Sequence, residues 1–468
     1  MTKNKLYKFR KIITALTMIL AIAFLSACNL LDTDSTGGQS FAEARSNFTT
    51  TLTQNNSHNH SIPTPPPGVF DLVHYESEVG NLAAFVSSDP GDGQQHPLII
   101  WLVGGWSYGI SDIPWSYPEW DNDQTGSAFR EAGILMMYPS LRGAHGNPGY
   151  FETMFGDIDD VLAAARFAAS LPYVDPNRIY LGGHSTGGTR ALLASALGED
   201  FRAIFAFSAA DDIGNHNRAQ FTFDINNRQE RRMRSPIHWI GDISSPTFVI
   251  GYPGASAANI SNIERRSNDN VHTFVVEGGD HFNILAPITR LLAQKILEDT
   301  GQTVNISLTN AELQNAMNNR PQTSPMPIMI PHHNQFFGVS FLLPAIWSEN
   351  LTSDQLAFIY ASEFYEDNFW EASSMLLEIF DIDDLVPGEE MEEFLGIDSN
   401  EFSFSEAEKN GYTVLAWEGE FEAAAYFNKI VVVQYGERLA ILDFISSYEH
   451  MGSARPMFAK IVDSVSFE

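Results

Sequence analysis

A doubly wound, mostly parallel α/β sheet, followed by a smaller α+β domain with an antiparallel sheet, is the fold class this sequence predicts. Two observations carry the first part. Continuous apolar runs such as Pro97-Leu98-Ile99-Ile100-Trp101-Leu102-Val103 and Gly133-Ile134-Leu135-Met136-Met137-Tyr138-Pro139 read as strands buried on both faces. They alternate with segments of helical period, above all Ile158 to Leu171, and that alternation marks strand–helix–strand units. A third observation separates the second part: beyond Gln335 the helices give way to closely spaced strands.

The elements follow in order. Residues 1–27 have a basic start, an apolar run from Ile12 to Leu25, and small residues in Leu25-Ser26-Ala27 before Cys28. That is the layout of a secretory signal, and the run is short for a span of about 20 residues. Cys28 is the chain's one cysteine, so no intramolecular disulfide is possible. Residues 28–68 are Ser-, Thr-, Asn- and Pro-rich and read as a flexible tether stiffened at Pro65-Pro66-Pro67. Residues 69–300 hold the strand–helix alternation. It includes strands at Arg178 to Gly182, Ala203 to Ser208, Thr247 to Gly251 and Thr273 to Glu277, and a small-residue helix from Thr186 to Leu197. Residues 301–334 read as a linker. Residues 335–468 form the second domain, with a strand at Phe336 to Leu343 and a helical region from about Ser353 to Phe380. An acidic loop, strands at Gly411 to Gly419, Glu422 to Tyr435 and Arg438 to Ser446, and a closing helix follow. Phe427-Asn428 or Gly436-Glu437 supplies a turn.

Charge excludes one class of function. The 468 residues carry 27 basic and 58 acidic side chains, a net of −31, so a phosphate backbone is repelled and no nucleic acid is expected as partner. From Phe341 onward 26 acids face 5 bases, a net of −21. Its carboxylate clusters (Asp381, Asp383, Asp384; Glu389, Glu390, Glu392, Glu393) lack calcium-loop spacing and read as a solvated acidic loop open to an unknown partner.

The chemical signal is Gly183-His184-Ser185-Thr186-Gly187, placed after a strand and opening a helix. A serine on that turn stands exposed at the sheet edge, the glycines permit the sharp turn, and the helix N-terminus adds backbone N–H donors. Gly188 lets the helix pack close. The alternative, a glycine-rich turn that only packs, does not account for strand before and helix after. A serine hydroxyl needs a base. His281, in Gly278-Gly279-Asp280-His281-Phe282 after the last strand, is the candidate. His184 beside the serine reads as packing and His272 as structural within a strand. His58, His60, His332 and His333 fall in linkers, and the pair His332-His333 is too sparse to define a metal site. The oxyanion donors expected are the backbone N–H groups of Thr186 and of Gly105 or Trp106, which follow the strand ending at Val103.

Four blocks in this order carry a family resemblance: Tyr138-Pro139-Ser140-Leu141-Arg142-Gly143, Gly156-Asp157-Ile158-Asp159-Asp160-Val161, Leu171-Pro172-Tyr173-Val174-Asp175-Pro176-Asn177-Arg178-Ile179 and Gly183-His184-Ser185-Thr186-Gly187-Gly188. Over Pro97 to Leu285 the chain resembles the α/β-hydrolase catalytic domain of the prolyl oligopeptidase family and its dienelactone hydrolase-like relatives. The resemblance implies a Ser–acid–His triad in that chain order. Three departures stand out. Fewer than 70 residues precede Val69, so no propeller screens peptides. Val103 replaces a common histidine. The acid that relatives carry after the penultimate strand is absent from Gly251-Tyr252-Pro253-Gly254-Ala255-Ser256. Asp211 and Asp212 follow the preceding strand, and Asp212 is the acid candidate, with a structural role as the alternative; Glu264 is a poorer one. The Leu25-Ser26-Ala27-Cys28 ending resembles a bacterial lipobox, which implies a lipidated Cys28. Gly338 to Pro344 with Trp347, the Tyr435-Gly436-Glu437-Arg438 turn and the closing Phe458 to Phe467 resemble a PsbP-like domain of extracytoplasmic lipoproteins.

The expectation is a lipid-anchored, extracytoplasmic serine hydrolase of the outer membrane or cell surface. It cleaves small esters or short peptides through an acyl-enzyme and needs no metal or organic cofactor. The alternative from another class is a non-catalytic binding lipoprotein on a degenerate hydrolase scaffold.

Overall fold

The computed structural model describes residues 38–115, 122–198, 201–320, 327–352, 357–362, 373–381, 391, 395, 397, 401–421, 426–436, 438–447 and 451–467. The signal segment, Cys28 and most of the acidic loop lie outside them. The chain divides into two compact units, Met1–Thr49 and Thr50–Glu468. The described part of the first holds a short helix, Phe41–Ser46, whose first turn is capped by the Ser40 hydroxyl accepting from the Glu43 N–H at 3.2 Å.

The second unit begins with an eight-stranded sheet. Its strands are β1 (Phe70–Ser77), β2 (Gly80–Ser87), β3 (His96–Leu102), β4 (Leu135–Pro139), β5 (Val174–His184), β6 (Ile204–Phe207), β7 (Thr247–Gly251) and β8 (Val271–Val275). The spatial order is β1-β2-β4-β3-β5-β6-β7-β8. Strands β1 and β2 pair antiparallel and β2 meets β4 antiparallel; the rest of the sheet is parallel. Helices Gly156–Ala169, Thr186–Ser195, Ala255–Glu264 and Leu285–Glu298 connect or cover these strands. The central strands are buried on both faces, which is why they read as unbroken apolar runs: Leu98, Ile99 and Ile100 have no exposed surface. Chain order reverses about β3, so the ends of β3 and β5 open onto a crevice where parallel sheets place their sites.

Two expectations about the segments around this sheet need correcting. Composition predicts a flexible tether through residue 68, yet from Thr50 the chain is pinned. Thr53 N–H donates to Thr222 O at 2.7 Å, and His58 N–H to Gly143 O at 2.8 Å. Phe151 N–H donates to Asn56 O at 2.9 Å, and Thr51 N–H to the buried Glu230 carboxylate at 2.7 Å. On the strap's side each of these four bonds is made by a backbone group, which every sequence supplies. His58 and His60 stack with ring centroids 4.3 Å apart rather than hanging in a linker. The linker expected over 301–334 is also structured. Helix Asn310–Asn318 begins with a capping box between Thr309 and Glu312, Lys295 bonds Glu312 at 2.6 Å, and Leu313 and Met317 complete the core under the sheet.

The second domain contains β9 (Met329–Asn334), β10 (Val339–Pro344), β11 (Trp347–Leu351), β12 (Phe358–Ser362), β13 (Ser374–Asp381), β14 (Ser403–Lys409), β15 (Tyr412–Phe421), β16 (Tyr426–Tyr435), β17 (Arg438–Ser447) and β18 (Ser466–Phe467). They form a seven-stranded antiparallel sheet, β11-β12-β13-β17-β16-β15-β14, and a three-stranded one, β18-β10-β9. Helix Met451–Ser464 lays Ala454, Met457, Phe458 and Ile461 on the larger sheet, with Phe458 stacked on Phe444 at 4.5 Å. Where the sequence leads one to expect a helical region over Ser353 to Phe380, the described residues form strands instead, β12 and β13. Runs such as Phe358-Ile359-Tyr360 suit a pleated surface, and pairing of Ser374–Asp381 with Ile445–Arg438 decides the outcome.

Candidate active site

Strand β5 delivers the chain into a turn that only a restricted sequence can make. Ser185 adopts φ 55° and ψ −115°, a strained conformation held from both sides. Its N–H donates to Phe207 O at 2.8 Å, and its carbonyl accepts from Thr189 N at 3.0 Å and Thr189 Oγ1 at 3.2 Å. The glycines are obligatory. A Cβ on Gly183 would lie 2.5 Å from the Gly187 carbonyl carbon, one on Gly187 2.0 Å from Leu102 O, and one on Gly188 2.7 Å from Phe207 O. Of residues 183–188 only Ser185 keeps exposed surface. Its side chain makes no hydrogen bond to a described residue and stands over the first turn of helix Thr186–Ser195. There the Thr186 N–H is one of the donors a helix start leaves without an intrahelical partner.

The end of β3 turns back against this serine. Gly105 (φ 74°) and Trp106 (φ 61°) are both left-handed, and Ser107 N–H closes the turn on Gly104 O at 3.4 Å. A Cβ on Gly104 would touch Ser185 Cβ at 3.2 Å, so the turn lies directly beside the hydroxyl. The two expected donors differ here. Trp106 N–H points at Thr186 Oγ1, 3.3 Å away, whereas Gly105 N–H has no partner among the described residues. Beneath the turn, the buried Arg190 bonds Asp157 through Nε at 2.8 Å and Ser107 O through Nη1 at 3.3 Å. A small cleft lined by Leu102, Val103, Ser107, Tyr138 and Arg190 opens between this turn and the ends of β3 and β4.

His281 sits on the loop after β8. Asp280 and Asn283 lock that loop reciprocally: the Asp280 carboxylate accepts from Phe282 N (2.9 Å) and Asn283 N (2.8 Å), and Asn283 Oδ1 accepts from Asp280 N (2.8 Å). The loop is joined to the serine turn through His184. Its Nε2–H donates to the His281 carbonyl at 2.7 Å, and the two rings lie 4.6 Å apart. The packing role expected for His184 is therefore joined by a bridging hydrogen bond. Burial, with a smaller contribution from His281, pushes the His184 pKa down to about 4, so the ring stays neutral. Burial also lowers the pKa of His281, while the nearby Asp280 charge raises it. The structure thus brings His281 to the neighbourhood of Ser185, with no direct hydrogen bond between the two side chains.

The acid candidate does not join them. Asp212 caps Gly214 N–H at 2.7 Å and pairs with Arg231 Nε at 2.9 Å, away from His281. Its structural alternative is the one observed, because the turn after β6 carries it toward helix Arg228–Met233. Asp211 is taken by Asn215 (2.7 Å) and Asn262 (2.6 Å), and Glu264 is exposed at a helix end. What faces His281 Nδ1 is the Tyr252 hydroxyl, 3.3 Å away. Sequence reasoning stopped at the missing carboxylate beyond Gly251 and passed over the tyrosine standing in that place. It also passed over His216, whose Nε2 lies 3.1 Å from Thr189 Oγ1 and whose ring lies 5.3 Å from that of Trp106. Desolvation, then the charges of Arg190 and His281, lower its pKa to about 4. His272 lies exposed in β8 as a structural residue. His332 and His333 belong to β9, not a linker, and bond Glu349 (2.8 Å) and Ser340 (2.9 Å). Among the described residues no group of three or more His, Cys, Asp or Glu is arranged to hold a metal.

Strand order, the serine turn and the histidine loop define an α/β-hydrolase fold. Residues 120–236, which are 117 of 468, match the model of the Prolyl oligopeptidase family. Similar solved structures include an esterase from Pyrobaculum calidifontis (15% identity, 49% of this chain and 85% of that one, TM-score 0.38). An acylaminoacyl peptidase from Pyrococcus horikoshii (16%, 52% and 44%, TM-score 0.40) and dipeptidyl peptidase 4 from Porphyromonas gingivalis (17%, 49% and 35%, TM-score 0.39) are two others. The chain thus spans most of the esterase and less than half of either peptidase. No curated protein matches the chain in sequence.

Proposed function

We propose that the chain is a serine hydrolase that cleaves carboxylic esters or short peptides through an acyl-enzyme. One observation carries this reading: Ser185 is held at φ 55°, half-buried amid buried neighbours, between the glycine turn after β3 and the first turn of a helix. In the reaction His281 takes the hydroxyl proton as Ser185 Oγ bonds the substrate carbonyl carbon. Nδ1 faces Tyr252, which leaves Nε2 for the serine. The N–H groups of Thr186 and Gly105 hold the developing oxyanion. The bond to the leaving group breaks, His281 returns the proton to that group, and water then attacks the acyl-serine by the same route in reverse. A fluorophosphonate probe tests the reading. Labelling of the wild type that disappears in Ser185→Ala is expected; folded wild type that takes up no label overturns it.

The anchor belongs to the same proposal. The Leu25-Ser26-Ala27-Cys28 ending supports export and lipidation at Cys28, and hence an extracytoplasmic place on the outer membrane or cell surface. Among the described residues no helix is long and apolar enough to cross a membrane. The acidic second domain, PsbP-like in its motifs, is proposed as an accessory module for an unknown partner.

A second reading, a binding lipoprotein on a degenerate scaffold, is favoured by one observation: no described carboxylate contacts His281. It predicts saturable ligand binding that survives Ser185→Ala, with no probe labelling.

A further inference from the structure

A histidine that serves as base must keep one nitrogen unprotonated toward the nucleophile, and something must hold the hydrogen on the other. The carboxylates the sequence offers as partners are engaged elsewhere: Asp211 by Asn215 and Asn262, Asp212 by Arg231, Asp280 by the backbone of its own loop. The His281 ring has one side-chain hydrogen-bond partner among the described residues, the Tyr252 hydroxyl at 3.3 Å from Nδ1. Tyr252 is well placed for the task. It follows Gly251 at the end of β7, its Cβ lies 3.5 Å from where a Cβ on Gly279 would stand, and its ring meets the imidazole edge-on at 83°.

We propose that the Tyr252 hydroxyl is the positioning residue of His281 in place of a carboxylate, and that a site so built hydrolyses esters rather than amides. This deepens the serine-hydrolase reading and rests on it. The phenol oxygen accepts the Nδ1 hydrogen, which fixes the tautomer with the Nε2 lone pair toward Ser185. Burial, with the Asp280 charge adding to it, raises the phenol's pKa, so it stays a neutral hydroxyl. A neutral acceptor orients the ring but gives the imidazolium no charge to rest on. The nearest negative charge is Asp280, while His184, 4.6 Å away, contributes none when neutral. The imidazolium that forms on attack is therefore less stabilised than in a carboxylate triad. An alkoxide or phenoxide needs little protonation to leave, whereas an amine leaves only as a protonated group. The chemistry selects esters, above all those of acidic alcohols.

The test uses the full chain in detergent, with p-nitrophenyl acetate and p-nitroacetanilide as substrates and four proteins: wild type, Ser185→Ala, Tyr252→Phe and Tyr252→Asp. The wild type turns over the ester and is at least about 10³-fold slower on the anilide, relative to their uncatalysed rates. Tyr252→Phe lowers kcat about ten- to a hundredfold with KM unchanged, because orientation is felt in the chemical step. Tyr252→Asp restores kcat, raises the acid limb of the pH–rate profile and narrows the gap between ester and anilide. Wild-type kcat and pH profile in Tyr252→Phe, in a protein whose ester hydrolysis is lost in Ser185→Ala, overturn the tyrosine's role. Anilide cleavage keeping pace with the ester overturns the substrate class. Ester hydrolysis equal in wild type and Ser185→Ala is a different result: it defeats the serine-hydrolase reading itself.

Discussion

Replacing Arg190 with methionine should destabilise the hydrolase domain and slow it, for separable reasons. Arg190 and Asp157 form an ion pair with side-chain exposures of 1% and 0%. The guanidinium also lies over the Tyr108 ring at 4.8 Å and bonds Ser107 O, the residue that closes the turn carrying Gly105 and Trp106. Methionine keeps most of the volume and removes the charge. The Asp157 carboxylate then stays buried, with the Phe155 N–H still donating to it at 2.8 Å. Breaking one side of such a pair costs about 3–5 kcal/mol, or about 10 °C in Tm for a domain of this size. The pair as a whole contributes far less, because two desolvation penalties offset its attraction. The double variant Arg190→Met/Asp157→Asn should therefore recover at least about 1 kcal/mol over Arg190→Met alone, an interaction a double-mutant cycle reads directly. Kinetics supply the second measure. With the turn untied from the nucleophile helix, kcat should fall about tenfold in both the single and the double variant, part of the roughly hundredfold attached to losing one oxyanion donor. Thermal melts and ester kinetics on the three variants and wild type decide it. Additive stabilities, or kcat restored together with Tm, refute the argument.

Four further outcomes follow from the geometry. Burial lowers the His281 pKa, and the base must be neutral to act, so kcat/KM for an ester should fall with acid along a limb below 6.5; a limb above 7 contradicts the assignment. His184 has a folded pKa of about 4 against 6.5 for an exposed ring. The unfolded chain therefore binds the proton first, and stability present above pH 6.5 drains away toward pH 4 with a slope of up to about 1.4 kcal/mol per pH unit. Urea titrations between pH 5 and 6.5 should show that slope flattened in His184→Gln. Gly187→Ala puts a Cβ 2.0 Å from Leu102 O, so it should abolish probe labelling and cost about 1–3 kcal/mol, read by label uptake and melting. Incorporation of an alkyne fatty acid in cells, lost in Cys28→Ser, is expected for the lipid anchor, and equal labelling of both proteins counts against it.

What was legible in the sequence depended on the range of the force that fixes each feature. The Ser185 turn could be read because one of its constraints is local: a Cβ on Gly183 would strike the Gly187 carbonyl four residues on, so the motif carries part of its own geometry, while Gly187 is held to glycine by Leu102 of the neighbouring strand. The buried strands could be read because both faces are apolar. By contrast, β12 and β13 carry apolar residues at spacings that suit either period, and only the pairing of β13 with the sequence-distant β17, and of β12 with β13, settles the matter. Strand β14 is exposed along nearly its whole length, so no apolar pattern announces it; the signal present was Asn410-Gly411, with φ of 52° and 82°, a hairpin turn joining it to β15. The Thr309–Glu312 capping box was likewise in plain view within a stretch read as linker.

The site divides along the same line, and the division explains why the acid was sought in the wrong place. Ser185 announces itself through its neighbours in sequence, but the partner of His281 is fixed by the approach of two loops, one after β7 and one after β8, whose separation no residue type records. A search for carboxylates near a strand end finds Asp211 and Asp212, because they satisfy the spacing, and passes Tyr252, because a phenol satisfies no acid pattern. The ion pair of Asp212 with Arg231 shows the cost of that logic: spacing along the chain places a side chain near a sheet edge, and the turn after β6 then decides which way it points. The strap from Thr50 makes the same point through the backbone. Its anchors at Thr222, Gly143 and Phe151 are peptide groups, present at every position, so composition alone could not tell a pinned segment from a free one.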